Sequence, residues 1–444
     1  MNYAEALEYL NGFVNFEREP LRRAARKVFN LDRIRMLAGR LGHPERQFRS
    51  VHIAGTKGKG STAAFCEAIA RAAGMTTGTY SSPHLVDLRE RIRLDGRMVS
   101  RGLLAGTLSK CLADYQAVRA APGERRLTYF EALTHLAFQI FASRGIDLGV
   151  IEVGMGGRLD ATNIVEPLVS VITAVSMDHG AQLGRSLAAI AGEKGGICKR
   201  GVPVVVGRQK TEALRSIRRE ARNARAGEML VLGRDFGFEP GGREPGSHRF
   251  MTLRTPKRTY RDLRVKLLGA HQLDNAAVAV TAMEIAAGRG RFRLPVRAVR
   301  EGLERARWPG RFEVARRRPV PLVLDGAHNV DSMMKLVAAL DEEFPARAPL
   351  AAVFACAADK DVSGMLEVIA PRAGILVATH SGNPRALKPR ELARLARNCG
   401  ARRVVAIRDM NRALARATAA AGTRGLVAVT GSLYLVGRAK QVLG

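Results

Sequence analysis

Apolar residues along the chain fall into two patterns. Short runs rich in Val, Ile and Leu, each closed by glycine or polar residues, alternate with longer segments whose apolar positions recur every three to four residues. The short runs predict strands at Val51–Ala54, Met75–Tyr80, Leu148–Val153, Leu168–Ala174 and Val202–Val206. Their near-continuous apolar character suits parallel strands buried on both faces. The periodic segments predict helices at Tyr3–Phe16, Leu31–Leu41, Ala63–Ala73, Leu103–Val118, Phe130–Ser143, Leu187–Ile197 and Gln272–Ala287. Arg91–Val99 alternates around Asp95-Gly96, which predicts a hairpin. From Thr211 to Tyr260 the chain turns polar and glycine-rich, with a loop expected at Pro240–Gly246. A break follows at Arg305–Arg311, and the alternation then restarts. Strands are expected at Leu322–Leu324, Leu350–Phe354, Ile375–Thr379, Val404–Ile407 and Leu426–Thr430, with helices between them. The pattern is that of an α/β protein of two domains, residues 1–306 and 307–444. The first is a mostly parallel sheet and the second a smaller doubly wound parallel α/β domain. No internal repeat or low-complexity tract interrupts it.

The stretch from Val51 to Thr62 adds chemistry to this pattern. A strand enters Gly55-Thr56-Lys57-Gly58-Lys59-Gly60-Ser61 and an alanine-rich helix leaves it. Glycines let backbone N–H groups approach an anion, the helix start adds partial positive charge, and Lys59 supplies a full one. Only Thr56 and Lys57 separate Gly55 from Gly58-Lys59, where a standard Walker A loop has four residues, and Gly60 follows the lysine. The alternative is a glycine-lysine surface turn; the flanking strand and helix weigh against it.

Charge changes the picture less than its size promises. The net charge is +31, and 59 of the 72 basic residues are arginine. These are dispersed, often at helical surface spacing, as in Arg215, Arg218, Arg219, Arg222 and Arg225. Aromatic residues make up only 5%, too few for an extensive base-stacking surface. A solvated basic surface that steers small polyanions is favoured over a nucleic-acid site. The five cysteines, Cys66, Cys111, Cys198, Cys356 and Cys399, form no CxxC pair, which points to reduced thiols in the cytoplasm. There is no signal-peptide pattern and no membrane-spanning run.

Three further polar clusters sit just past predicted strands, where α/β enzymes keep their sites. They are Ser81-Ser82-Pro83-His84, Glu152 through Asp160, and Ser176-Met177-Asp178-His179. Ser82, Glu152 and His179 are placed to share one hard cation beside a triphosphate, although His is an unusual Mg²⁺ ligand. Read singly, Glu152 is equally a loop cap and His179 an ordinary loop histidine. Lys194 lies in an otherwise apolar helix, where a snorkelling surface lysine is the simpler reading. Leu324–Asn329 repeats the strand-then-polar-turn layout in the second domain, and Asp359-Lys360-Asp361 forms another such turn.

Together these segments resemble the folylpolyglutamate synthase and dihydrofolate synthase family of the Mur ligase superfamily. The matching stretches are GTKGKGST, YSSPHLVDLRERI, TYFEALT, IEVGMGGRLDATN, MDHGAQLG, IAGEKGGICK, HQLDNAAVA, WPGRFE, LDGAHN, DKD and TGSLYLVGRA, in the family's order from about residue 31 to 440. The resemblance implies a Mur-type central domain and an ATP-dependent ligase. Such an enzyme adds L-glutamate to dihydropteroate, or to reduced folate and folylpolyglutamate, through an acyl phosphate. It implies that Gly55, Thr56, Lys57, Gly58, Lys59, Gly60 and Ser61 hold phosphates, and that Asn275, Arg311 and Asp325 hold the nucleotide with His328 close by. Two Mg²⁺ ions are implied, one on Ser82, Glu152 and His179 and one near Ser61. Lys194 is similar to the family's carbamoylated lysine, and Thr128, Arg158, Leu159, Asp160 and Ala161 lie in segments like its pterin pocket. A cytoplasmic monomer without a nucleic-acid or membrane partner is expected. Lys57 stands where the family usually has Asn, and Thr211–Tyr260 matches no family motif. A related ligase acting on another carboxylate is the nearest alternative, and a basic P-loop protein that binds nucleic acid the alternative of another class.

Overall fold

The computed structural model describes residues 1–17, 30–119, 127–177, 184, 186–244 and 247–444. The larger sheet holds β1 (Arg49–Ala54), β2 (Thr77–Tyr80), β3 (Ile92–Leu94), β4 (Arg97–Met98), β5 (Leu148–Glu152), β6 (Val169–Ile172), β7 (Val204–Val206) and β8 (Met229–Val231). Their order is β4-β3-β2-β5-β1-β6-β7-β8. From β2 to β8 all neighbours are parallel, and the β3–β4 hairpin attaches antiparallel at one edge. Its turn has φ 49° at Asp95 and 75° at Gly96, the positive pair that a two-residue hairpin turn demands.

Alternate residues of each strand serve opposite faces. Val51 and Ile53 join Val150 and Val171 in a core beneath the helices Lys59–Ala72, His271–Gly290 and Val296–Arg305. On the other face, Ala54, Ile172 and Val206 pack under Leu187–Gly195 and Thr211–Asn223. Tyr80 and Ile151 pack there under Tyr3–Asn11, Arg101–Arg119 and Tyr129–Ser143. With both faces covered, the strand ends are where a ligand gains access, and the crevice at the end of β1 is the topological switch point.

Several boundaries differ from the sequence reading. The first helix stops at Asn11 rather than Phe16, closed by the Gly12 N–H. The helix after β1 begins at Lys59 rather than Ala63, so Lys59, Gly60 and Ser61 form its first turn, where N–H groups lack intrahelical partners. The helix Val296–Arg305 went unread because its many arginines hide the narrow stripe of Ala298, Val299, Gly302 and Leu303. The loop expected at Pro240–Gly246 is largely strand. β9 (Gly237–Glu244), β10 (His248–Arg254) and β11 (Thr259–Val265) form a three-stranded antiparallel sheet in the order β11-β10-β9. β9 is its exposed edge, with Pro240 opposite Met251 at a register irregularity, a setting that tolerates proline.

The C-terminal sheet orders β12 (Glu313–Arg316), β13 (Leu322–Leu324), β17 (Leu426–Thr430), β14 (Leu350–Phe354), β15 (Ala373–Ala378) and β16 (Val404–Ala406). It is parallel except for the antiparallel edge strand β12, and buried clusters cover both faces. The expected doubly wound α/β unit is therefore present. No described helix is long and apolar enough to cross a membrane.

Candidate active site

The turn Gly55–Gly58 is pinned from the neighbouring strand. The Thr56 and Lys57 N–H groups both donate to the Ala174 carbonyl at 3.0 Å, and Thr56 Oγ1 donates to the Ser176 carbonyl at 3.1 Å. Gly58 has φ 86°, and a Cβ there would overlap the Asn275 amide. A Cβ on Gly60 would overlap the Trp308 indole. The Gly55 carbonyl accepts from two lysine side chains, Lys59 Nζ at 3.2 Å and Lys194 Nζ at 2.8 Å. Lys194 is only 4% exposed, so it is no snorkelling surface lysine. Lys59 and a helix N-terminus concentrate positive potential in one small volume.

Glu152 closes β5 opposite Ile53, which sets it beside the start of the loop. Burial pushes its carboxyl above the ordinary range, while Lys59, Arg311 and a hydrogen bond from the Ser82 N–H pull the other way. Its Oε2 is buried without a hydrogen-bond partner among the described residues. Asp160 differs. Burial raises its carboxyl too, but it accepts from the Met155 N–H at 2.8 Å, the Thr162 N–H at 3.0 Å and Thr162 Oγ1 at 2.5 Å. The Thr162 hydroxyl proton is thus engaged, so Thr162 Oγ1 receives His52 Nε2–H at 2.9 Å. Burial lowers His52 to about 3, which keeps it neutral. This His52–Thr162–Asp160 chain went unread; the signal was a histidine in an apolar strand directly before the loop.

No three His, Cys, Asp or Glu side chains converge among the described residues. What the strand ends do offer is oxygen: the unpartnered Glu152 Oε2, the Ser82 and Ser61 hydroxyls, and Ser176 Oγ, also buried without a partner. That donor set fits a hard cation such as Mg²⁺, which keeps water and phosphate oxygens among its ligands. His179 lies outside the described residues.

The C-terminal unit faces this loop with Arg311, Asp325 and His328. Asp325 accepts from the Phe312 N–H at 2.7 Å and the Ala327 N–H at 2.8 Å; burial raises its carboxyl, against the field of Arg311. His328 Nδ1 meets the Gly326 carbonyl at 2.8 Å, and Gly326 N–H donates to the Gly310 carbonyl at 3.0 Å. The two units touch here, since Gly310 and Gly437 pack against Leu85 of the Ser82 segment. Asn275 comes from the first unit, its Nδ2 donating to Gln272 Oε1 at 2.9 Å.

The expected pterin-pocket residues are engaged with their own scaffold. Thr128 caps the helix Tyr129–Ser143, its Oγ1 accepting the Glu131 N–H while its own N–H donates to Glu131 Oε2, and Glu131 pairs with buried Arg33 at 2.9 Å. Arg158 donates to Glu220 at 2.6 Å and to the Gly192 carbonyl at 3.3 Å. Ala161 is buried, whereas Leu159 is 42% exposed and offers apolar surface. A second network went unread. Arg91, 1% exposed, donates to His84 Nδ1 at 2.8 Å, pairs with Glu17 at 2.5 Å and lies over the Tyr129 ring at 5.8 Å. It fixes the Ser82 segment against the Tyr129 helix. The quoted RERI stretch contains it, but a charged side chain reads as surface.

Comparison with known proteins bears on these features. Residues 53–283 match the Mur ligase middle domain and residues 310–433 the glutamate ligase domain of Mur ligases. The Bacillus subtilis dihydrofolate synthase/folylpolyglutamate synthase is 35% identical over 366 residues, 82% of each chain. A Haloferax volcanii protein named "Probable bifunctional folylpolyglutamate synthase/dihydropteroate synthase" is 36% identical over 99% of this chain, which spans 50% of its length. The Mycobacterium tuberculosis folylpolyglutamate synthase complexed with ADP superposes with a TM-score of 0.89 at 32% identity, over 100% of this chain and 98% of the other. The chain belongs to the folylpolyglutamate synthase and dihydrofolate synthase family of the Mur ligase superfamily.

Proposed function

We propose that this protein is an ATP-dependent ligase that joins L-glutamate to the carboxylate of dihydropteroate, a reduced folate or a folylpolyglutamate. The observation that carries the phosphate chemistry is Lys59 in the first turn of a helix that follows a glycine turn, with its Nζ on the Gly55 carbonyl. The relatives supply the acceptor class. Residues 1–306 bind ATP and the pterin substrate, and residues 307–444 form the glutamate ligase unit.

The acceptor carboxylate attacks the γ-phosphorus of ATP, ADP leaves, and an acyl phosphate forms. Gly55 through Ser61 hold the phosphates, and Lys59 balances charge on the transferring group. Asn275, Arg311 and Asp325 hold the nucleotide, with His328 beside it. Glu152, Ser82 and His179 would hold one Mg²⁺ and Ser61 a second; when bound, these ions neutralise phosphate oxygens. The amine of glutamate then attacks the acyl carbon, phosphate departs, and the amide remains, without a protein nucleophile. Contacts of Trp308 and Gly310 with the first unit bring the two units together over the nucleotide and exclude water. Thr128 and Asp160 shape the pterin pocket by holding backbone, Arg158 and Ala161 support its wall, and Leu159 offers the apolar face. Lys194 first gives up one proton to become the neutral amine, then forms an N–C bond to CO₂ at Nζ and releases a second proton. The resulting carbamate keeps one N–H for the Gly55 carbonyl and presents an anion to the metal site. The enzyme acts as a cytoplasmic monomer, with no nucleic-acid partner.

The test is glutamate-dependent ADP release by the pure protein, assayed separately with dihydropteroate and with tetrahydrofolate, with the ligated product identified by mass. Release with either acceptor that persists in high salt is expected. No glutamate-dependent release with both overturns the reading.

A further inference from the structure

The helix Thr211–Asn223 turns Ala213, Ile217 and Ala221 inward. Its other side carries Arg215, Arg218, Arg219 and Arg222, which with Asn223 line an open concavity of about 530 Å³. Residues three and four apart on a helix are neighbours, so this stripe sets like charges against one another and weakens the helix that bears it. The helix's own carboxylates do not relieve the clash. Glu220 takes Arg158 at 2.6 Å and reaches Arg219 only at 3.5 Å. Among the described residues, no carboxylate lies within ion-pair distance of Arg215, Arg218 or Arg222.

The helix that bears the stripe packs beside the candidate site, and Arg219 turns toward it, donating to Ser216 Oγ at 3.3 Å. Its helix packs on Leu187–Gly195, the helix of Lys194, where Ser216 Oγ donates to the Ala188 carbonyl at 2.7 Å. A Cβ on Gly192 would lie 3.8 Å from the Arg219 guanidinium. Arg158, in the turn that follows Glu152, donates to both Gly192 and Glu220. Arg158, which also pairs with Glu193 and Glu220, and Arg219 thus stand between that turn and the exposed Arg215 and Arg222.

We infer that this stripe binds the γ-linked polyglutamate tail of long acceptor substrates, its guanidiniums pairing with the α-carboxylates of internal glutamates. The inference rests on the ligase activity proposed above. A γ-link leaves one α-carboxylate free on every residue. It also lengthens the repeat beyond the ~3.8 Å of an α-linked chain by two methylene bonds, toward the ~5–6 Å between neighbours on a helix face. Arginine suits this ligand because its planar fork takes a carboxylate bidentately. The terminal γ-carboxylate stays at the reacting end, and the pterin is carried outward as the tail lengthens. The concavity is lined by no aromatic ring on which nucleic-acid bases would stack.

The test is the full-length triple variant R215Q/R219Q/R222Q, in which glutamine keeps the helix propensity and removes the charge. Glutamate-dependent ADP release is measured with monoglutamyl and pentaglutamyl tetrahydrofolate. Expected are kinetics with the monoglutamyl acceptor within twofold of wild type, which also shows that the variant is folded, and a KM for the pentaglutamyl acceptor raised about tenfold or more. Fluorescent hexa-γ-glutamate should bind wild type, weaken with salt and fail to bind the variant. An unchanged pentaglutamyl KM, or no pentaglutamyl turnover by wild type, overturns the inference while monoglutamyl activity keeps the ligase reading. Labelled single-stranded RNA bound by wild type and lost in the variant, with that KM unchanged, makes the stripe a nucleic-acid site instead. A wild type inactive with dihydropteroate and with both folates removes the ligase reading, and the inference with it.

Discussion

Glu152 and Asp325 look alike and are built for different work. Each stands at the end of a strand of its own unit, each is pushed toward the neutral form by burial, and each lies in the field of Arg311. Asp325 receives two backbone N–H groups, from Phe312 and Ala327. Glu152 receives the Ser82 N–H and keeps Oε2 without a partner. A buried carboxylate engaged by backbone donors is a clamp that fixes a turn. One with an open, buried oxygen is poised to ligate, since an unmet polar atom at that depth is otherwise destabilising by about 1–3 kcal/mol. On the proposed reading, the half of the site on the larger sheet is equipped for chemistry and the C-terminal half for placement.

The sharpest break of this contrast is Lys59→Ala. It removes the ammonium held at the helix start on the Gly55 carbonyl and should lower ADP formation at saturating substrates by about 10³-fold, roughly 4 kcal/mol of barrier. Activity within tenfold of wild type would return the loop to a surface turn. Glu152→Gln keeps the shape and removes the anion. A loss of about 10²-fold in kcat is expected, roughly 2.7 kcal/mol, with the Mg²⁺ titration displaced to higher concentration. A titration that overlays wild type would strike Glu152 from the ligands.

Asp325→Ala should behave otherwise. It strips the acceptors from two backbone N–H groups and loosens the turn that bears His328. KM for ATP should rise about tenfold, near 1.4 kcal/mol, with kcat within threefold. Equal falls in kcat for Asp325→Ala and Glu152→Gln would erase the division between chemistry and placement.

Much of this was legible in the sequence, and the limits are physical. Buried parallel strands write themselves as apolar runs, so β1, β5, β6, β14 and β17 were found close to their true ends. β9 was lost because an exposed edge strand with Pro240 and three glycines carries no alternation. The glycine turn before the helix at Lys59 and the place of Glu152 at the end of β5 were legible because turn glycines and strand-end carboxylates keep a fixed order along the chain. The inward aim of Lys194 was not, because an apolar helix does not say which neighbour its lysine meets. Arg91 and His52 were missed for a related reason: a buried charge or imidazole is recognised only once its partners, 7 to 110 residues away, are placed.

The smallest effect on activity should come from His52, which braces the chemical half without joining it. Its Nε2–H supports Thr162, Thr162 supports Asp160, and Asp160 holds the turn after Glu152. His52→Gln keeps an N–H donor, so kcat should stay within about threefold, under roughly 0.7 kcal/mol. Its signature lies in the pH dependence of stability. Burial lowers His52 to about 3, whereas an unfolded histidine titrates near 6.5. Between those values the unfolded chain binds a proton that the folded chain refuses, so stability falls as pH drops through 6.5 and continues to fall toward 3. At pH 5 the difference amounts to about 2 kcal/mol for one such group. His135, lowered by burial to about 3 in the helical layer, contributes in the same direction and stays in the variant. Thermal unfolding of wild type and His52→Gln from pH 8 to 5 should therefore give two curves that converge on acidification if the variant starts lower, or diverge in its favour if it starts level. Parallel curves would mean that His52 is protonated in the folded protein, and that the turn after Glu152 is held by some other means.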